Sequence, residues 1–141
     1  MPGITVGVDG SDHSYRALEW AMKEAGLKHV PLTVLAVHGV AATEWTGRPI
    51  VFPEDQAMTE QARSWAEEAI SKVAGQLGDA KPTTINVQAM SGFPAQELLN
   101  ASQDSDLIVV GSRGHGRFAP IVGSTTNKLV HHAKSPVVVV P

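Results

Sequence analysis

Five short apolar segments alternate with amphipathic ones along this chain of 141 residues, and that alternation limits the fold more than any other feature. The apolar segments are rich in Val, Ile, Leu and Thr, which is typical of β-strands. We place them at residues 4–8, 32–37, 83–88, 107–110 and 137–140. Strands that alternate with helices form a parallel sheet with helices on both faces, and near-continuous apolar strands fit such a covered sheet.

Apolar residues recur at helical spacing between these strands. We place the four helices around residues 17–25, 62–77, 98–99 and 124–132. The first is predicted to end at Gly26 and the second, the longest, at Gly78. The stretch 39–53, which contains Trp45 and Phe52, is predicted to be a loop. Because the sequence contains no internal repeat or interdomain linker, we predict a single domain across residues 1–141.

Composition argues against several classes of function. The net charge of −3 is unlike the basic face of a nucleic-acid-binding protein. The absence of cysteine excludes disulfides, thiol catalysis and thiolate metal sites. No apolar run approaches the ~18 residues of a membrane span. The first strand begins so close to the N-terminus that we expect no signal peptide, which predicts a cytoplasmic protein.

A glycine-rich segment follows the fourth strand and precedes the last helix. Its candidate anion-binding residues are Gly111, Arg113, Gly114, Gly116, Gly123, Ser124 and Thr125. Glycines let backbone N–H groups approach an anion closely, and a helix N-terminus adds partial positive charge. Arginine adds a full charge beside it. The segment therefore predicts a phosphate-binding loop, with a simple tight turn as the alternative.

Asp9 directly follows the first strand. Its carboxylate is a candidate acceptor for ribose hydroxyls or a holder of a cation near phosphate, and its alternative role is that of a turn former or helix cap. In open parallel sheets, ligands bind beyond the carboxyl ends of the strands, where the strand order reverses. If strands one and four are neighbours there, Asp9 and the glycine-rich segment face one crevice of nucleotide size.

Signs of catalysis are weak. No pair of the six histidines has the i, i+4 spacing of a helical zinc site, and His38 is expected either to line the crevice or to cap its strand. The chain has neither a Gly-x-Ser-x-Gly elbow nor a P-loop Gly-Lys-Ser/Thr. Residues 9–14 faintly resemble the loop of ATP pyrophosphatases, so an AMP-forming enzyme is an alternative. Otherwise we expect at most slow ATP hydrolysis.

The final strand, Val137–Val140, is uncharged and β-branched, and in a five-stranded sheet of this type it would be an edge. Bare edges of that kind aggregate unless something covers them. The same strand of a second copy would cover it and give a two-fold homodimer. The alternative is that Pro136 and Pro141 are enough to protect the edge.

The chain resembles the universal stress proteins of the UspA type from end to end. The resemblance lies in residues 4–11, 35–38, 107–116, 123–125 and 135–140. It implies an open, twisted five-stranded parallel sheet of order 3-2-1-4-5, like that of the adenine nucleotide alpha hydrolases. It also implies dimers through the last strand and, in one branch, ATP binding through Gly-x-x-Gly, nine residues, then Gly-Ser/Thr.

On that resemblance, the phosphates and ribose would be held by Gly111, Gly114, Gly123, Ser124 and Thr125, the adenosine would contact Val8 and Asp9, and Gly39 would lie near adenine. The implied role is a nucleotide-dependent sensor in the stress response. ATP, with or without Mg²⁺, is favoured over AMP and cAMP. This chain has eight residues rather than nine between Gly114 and Gly123, which predicts a tighter loop. A nucleotide-free interaction protein is therefore the alternative.

Overall fold

The computed structural model describes residues 3–40, 43–112 and 123–141. The five strands are β1 (Ile4–Val8), β2 (Leu32–Gly39), β3 (Ile85–Gly92), β4 (Leu107–Gly111) and β5 (Val137–Val140). The helices are α1 (Asp12–Lys28), α2 (Pro53–Leu77), α3 (Pro94–Ser102) and α4 (Gly123–His132), and a short 3₁₀ turn, Gly78–Ala80, follows α2. The described part contains no helix that is long and apolar enough to cross a membrane.

The strands form one parallel sheet of order β3-β2-β1-β4-β5, which confirms the predicted topology. Helices α1 and α2 pack on one face, and α3 and α4 pack on the other. The chain runs outward from β1 through β2 to β3 and then crosses back to β4 on the other side of β1, so the strand order reverses between β1 and β4. That reversal is the place where ligands bind in sheets of this kind.

Two hydrophobic clusters hold the layers together. The larger, between the sheet and α1 and α2, contains alternate residues of β1 and β2, including Ile4, Val6, Val34 and Leu32. The smaller, between the sheet and α3 and α4, includes Leu35. Since side chains alternate across a strand, β2 contributes to both clusters. The larger cluster thus fixes the sheet against the two long helices.

The prediction that α1 ends at Gly26 was wrong. The helix continues to Lys28 and ends at His29, whose φ of 55° places it in the left-handed region. The glycine serves a close contact instead, because a Cβ at Gly26 would lie 1.9 Å from the carbonyl oxygen of Ala80. The spacing of apolar residues could not distinguish a helix end from a point where another segment approaches the helix.

Other boundaries differ by smaller amounts. Helix α2 ends before Gly78 as predicted, but it begins at Pro53, directly after the predicted loop and nine residues earlier than the predicted start at residue 62. Strand β3 is displaced toward the C-terminus and continues to Gly92. Both differences lie at the carboxyl edge of the sheet, where β2 and β3 remain paired up to Gly39 and Gly92.

Candidate functional site

The strand-order reversal lies between the ends of β1 and β4. Their pairing runs from Ile4 opposite Leu107 to Val6 opposite Val109. Beyond that point β1 continues to Val8 and β4 continues to Gly111 without further pairing between them. The two strands are therefore neighbours at the carboxyl edge, which is the condition that the sequence analysis set for Asp9 and the glycine-rich segment to face one crevice.

Asp9 lies at this edge and is completely buried. Its Oδ1 accepts hydrogen bonds from the backbone N–H of Ser11 at 3.0 Å and from the Ser11 hydroxyl at 2.5 Å. The Ser11 hydroxyl oxygen in turn accepts the N–H of Ser14 at 3.1 Å and so caps α1. Asp9 therefore does have the turn-forming role that the sequence left as an alternative, and this role fixes its carboxylate at the crevice.

Gly111 brings the end of β4 against the first turn of α1. A Cβ at this position would lie 2.9 Å from the carbonyl carbon of His13 and 3.0 Å from its Cβ, so a larger residue would force the two segments apart. Val8 is fully buried in the larger cluster. A ligand at the edge would accordingly meet backbone at Val8 and at Gly111.

The other predicted site residues are divided between described and undescribed parts of the chain. Gly39 is the last residue of β2 and pairs with Gly92. The first turn of α4 begins with Gly123, Ser124 and Thr125. Three predicted residues lie outside the described residues, namely Arg113, Gly114 and Gly116.

Sequence reasoning missed a polar cluster on the α2 side of the same edge. His38 Nε2 lies 2.8 Å from Asp55 Oδ1, and the other oxygen of Asp55 accepts the N–H of Phe52 at 2.7 Å. The Ser91 hydroxyl donates to the carbonyl oxygen of Asp55 and accepts a hydrogen bond from the Thr59 hydroxyl at 2.6 Å. The available signal was Asp55 at the third position of a helix that begins with proline.

The pKa of Asp55 is lowered below its ordinary value of 3.8. The main cause is the hydrogen bond from the N–H of Phe52, and the hydrogen bond from His38 adds to it. Both stabilise the ionised carboxylate. A cavity of about 370 Å³ opens beside this cluster and is lined by Val51, Gln56, Thr59, Glu60 and Ser91. Among the residues with described positions, no three His, Asp or Glu side chains are grouped to hold a metal ion.

Comparison with known proteins identifies the family. The model of the universal stress protein family matches residues 2–141. The chain belongs to the universal stress protein family. A universal stress protein of Mycolicibacterium smegmatis is 36% identical over 139 residues, which cover 98% of this chain and 47% of that protein. This universal stress protein chain thus spans about half the length of the curated relatives it matches.

Solved universal stress proteins share the fold. One in complex with cAMP is 26% identical, with a TM-score of 0.69 over 99% of this chain and 95% of the other. The protein of Archaeoglobus fulgidus in complex with dAMP is 26% identical, with a TM-score of 0.67 over 100% and 98% of the two chains. The resemblance on which the sequence-based fold rested is therefore confirmed.

Proposed function

We propose that this chain is a cytoplasmic universal stress protein, folded as one domain across residues 1–141, that binds an adenine nucleotide between the ends of β1 and β4. The observation that carries the proposal is the strand-order reversal, where the buried carboxylate of Asp9 and the glycine end of β4 adjoin the start of α1. A strand-order reversal of this kind is suited to a nucleotide. Binding would act as a signal in the stress response rather than as a step of turnover.

The assignment of roles within the site follows the family resemblance together with the chemistry of each group. Asp9 would accept hydrogen bonds from ribose hydroxyls, while the backbone of Val8 and Gly39 would border the adenosine. Backbone N–H groups and hydroxyls at a helix start suit phosphate, as does a neighbouring guanidinium. The proposed phosphate-binding residues are Gly111, Arg113, Gly114, Gly116, Gly123, Ser124 and Thr125.

The choice of an adenine nucleotide is supported by the two solved relatives in complex with cAMP and dAMP. We propose ATP as the favoured ligand, with Mg²⁺ accompanying the phosphates, and AMP and cAMP as weaker ones. Isothermal titration of the purified protein with each nucleotide, with and without Mg²⁺, tests this order. Binding of cAMP or AMP but not ATP would mean that the eight-residue spacing selects a single phosphate, and binding of none would favour a nucleotide-free interaction protein.

Substitution of Asp9 tests the location of the site. Asp9→Asn keeps an oxygen for the Ser11 hydrogen bonds but loses the charge, so we expect about 10- to 100-fold weaker nucleotide binding, as for a lost charged hydrogen bond. Asp104→Asn removes an exposed carboxylate at the opposite edge of the sheet and should leave affinity unchanged. Equal affinity of both variants and the wild-type protein, with unchanged circular dichroism, would place the site elsewhere.

We further propose a homodimer through β5. This strand lies at one end of the sheet, and Val139 is 37% exposed there. Light scattering after gel filtration should give twice the chain mass for the wild-type protein. Val139→Lys should give a monomer, because charged side chains block edge-to-edge pairing. Val130→Lys, at an exposed valine of α4, is the matched control. A wild-type monomer, or a dimer that survives Val139→Lys, contradicts the proposal.

A further inference from the structure

Polar side chains form a row across three neighbouring strands on the face of the sheet toward α3. Thr5 of β1 is in register with Thr33 of β2, and Thr33 is in register with Asn86 of β3. Gln88 lies two residues beyond Asn86 and therefore on the same face. Faces of parallel sheets are normally apolar because helices cover them. A polar row in that position departs from the pattern of the fold, and such departures are typical of functional sites.

This row lines a cavity of about 230 Å³ at the amino end of the strands. The rest of the lining includes Ala101, Asp104 and Ser105, from the end of α3 and the turn after it, and Gly3 and Pro31, which precede β1 and β2. Sites for drug-sized ligands measure roughly 300–1,000 Å³, so this cavity suits a smaller molecule. It lies at the opposite edge of the sheet from the proposed nucleotide site.

Several polar groups of the row have hydrogen-bonding capacity that the protein does not use. Ser105 Oγ donates at 2.8 Å to the carbonyl oxygen four residues earlier, so the Thr5 hydroxyl is the donor in their 2.6 Å hydrogen bond. The Thr5 oxygen can therefore still accept a hydrogen bond from a ligand. Among the described residues, the side chains of Thr33, Asn86 and Gln88 have no hydrogen-bond partner. One hydroxyl and two amides can thus both donate and accept.

The charge of the lining restricts the chemistry of the ligand. Of the described residues around the cavity, none is Lys, Arg or His, and the one charged group is the exposed carboxylate of Asp104. An anionic ligand would find no cation to pair with and would be repelled by that carboxylate. An ammonium group only donates, so it would leave the N–H donors of both amides unused. Hydroxyl groups both donate and accept, as the lining does.

We propose that this cavity binds a small, neutral, polyhydroxylated ligand about one sugar ring in size, namely a monosaccharide or a cyclic polyol. Neighbouring strands lie about 5 Å apart, and alternate residues of one strand lie about 7 Å apart. At these spacings Thr33, Asn86 and Gln88 reach different hydroxyls of one ring. Thr5 accepts a further hydrogen bond at the buried end of the row, since it is 4% exposed.

NMR titration of the isotope-labelled full chain tests the proposal, with myo-inositol and glucose as the probes. The side-chain amide signals of Asn86 and Gln88 and the backbone signal of Thr33 should shift and reach saturation in the millimolar range. Glucose 6-phosphate should not produce these shifts, because its phosphate adds negative charge beside Asp104.

Variants of the polar row test which groups hold the ligand. Thr33→Val removes a hydroxyl at nearly constant volume and should weaken binding about 2- to 10-fold, as for one neutral hydrogen bond. The double variant Asn86→Ala/Gln88→Ala removes both amides and should weaken it about 5- to 100-fold. Both amides are exposed, so the fold should be retained. Gln61→Ala removes an exposed amide of α2, on the other face of the sheet, and should bind like the wild-type protein.

Three outcomes would overturn the proposal. Shifts that grow linearly without saturation, or equal binding by the double variant and the wild-type protein, would show that the row is only a solvated part of the sheet. Shifts centred on Asp9 and Gly111 would place the probe at the ribose position of the proposed nucleotide site. Binding of putrescine but of neither polyol would assign the cavity to a cation. Failure of AMP or ATP to bind would leave the proposal standing, because the two sites lie at opposite edges of the sheet.

Discussion

The two faces of the sheet are built from the same strands but differ in character. On the face that packs against α1 and α2, register-matched positions are uniformly apolar, as in the row of Ile4, Leu32 and Ile85. One residue further along each strand, on the face toward α3 and α4, the matching row is polar and consists of Thr5, Thr33 and Asn86. Because the two rows are only one residue apart along the strands, we attribute the difference to what covers each face.

The covering helices explain the difference. Helix α2 has 25 residues and packs on β2 and β3, whereas α3 has nine residues and packs chiefly on β2, β4 and β1. The amino end of the α3/α4 face therefore opens into a cavity of about 230 Å³ that includes Thr5, Thr33 and Asn86 in its lining. Thr5 is hydrogen-bonded to Ser105 at 2.6 Å, so the most buried of these polar groups has a partner.

The largest expected effect comes from a pair of leucines on β2. Leu32 and Leu35 are 0% and 3% exposed and point to opposite faces. Truncation of either to alanine should cost about 2–5 kcal/mol of unfolding free energy. We expect Leu32→Ala to lie near the upper limit, because long helices prevent the cavity from collapsing. Urea denaturation measures both values, and an equal or larger loss for Leu35→Ala would contradict the comparison.

Two adjacent residues of β2, Thr33 and Val34, can each be replaced by the residue type of the other. Val34 is completely buried on the α1/α2 face, so Val34→Thr should cost about 1–3 kcal/mol for a hydroxyl without a partner. Thr33 is partly exposed on the other face, so Thr33→Val should change stability by no more than about 0.5 kcal/mol. Thermal and urea unfolding measure both variants. Equal losses of unfolding free energy for Val34→Thr and Thr33→Val would contradict the difference between the two faces.

Two glycines measure how tightly the α1/α2 layer is packed. At Gly26 a Cβ would overlap the backbone of Ala80, so Gly26→Ala should destabilise the protein by about 1–3 kcal/mol. At Gly75 in α2 a Cβ would meet nothing within 4 Å, and Gly75→Ala should stabilise it by about 0.4–1 kcal/mol. Differential scanning calorimetry should show a lower melting temperature for Gly26→Ala and a higher one for Gly75→Ala. Stabilisation by both would show that the backbone at Ala80 moves away at little cost.

The smallest effect is expected where the α1/α2 face ends in the polar cluster around Asp55. The pKa of Asp55 is lower in the folded protein than its ordinary value of 3.8. At pH values between the folded and the unfolded pKa, the unfolded chain therefore binds more protons than the folded one. Its stabilisation is therefore complete above about pH 4 and is lost as the pH falls through the folded pKa. Asp55 is partly exposed, which keeps the contribution small.

Chemical denaturation of wild-type and Asp55→Asn proteins between pH 6 and pH 2.5 measures this contribution. The stability difference should be present at pH 6 and should shrink at the acid end of the range, where the carboxylate becomes protonated. Asp104→Asn serves as the control for removal of a carboxylate. A difference between wild-type and Asp55→Asn proteins that is constant across the range would show that ionisation of Asp55 is not its source.

The candidate site divides in a similar way between what was predictable and what was not. Asp9 and Gly111 could be placed at one edge because Asp9 directly follows β1 and Gly111 ends β4, and the two strands run parallel. Their local contacts could not be predicted, since the fit of Gly111 against His13 depends on how α1 crosses the sheet. The pair of His38 and Asp55 joins residues 17 positions apart, and no local pattern indicates such a contact.

The sequence by itself determined the order of strands and helices, the parallel sheet and the family, because periodicity, glycine positions and motif spacing are local properties of the chain. Only the tertiary structure decided that Gly26 accommodates Ala80 rather than ends a helix, and that Asp55 is hydrogen-bonded to both His38 and the N–H of Phe52. These features depend on distances between segments that are remote in sequence, and such distances are set when the helices pack onto the sheet.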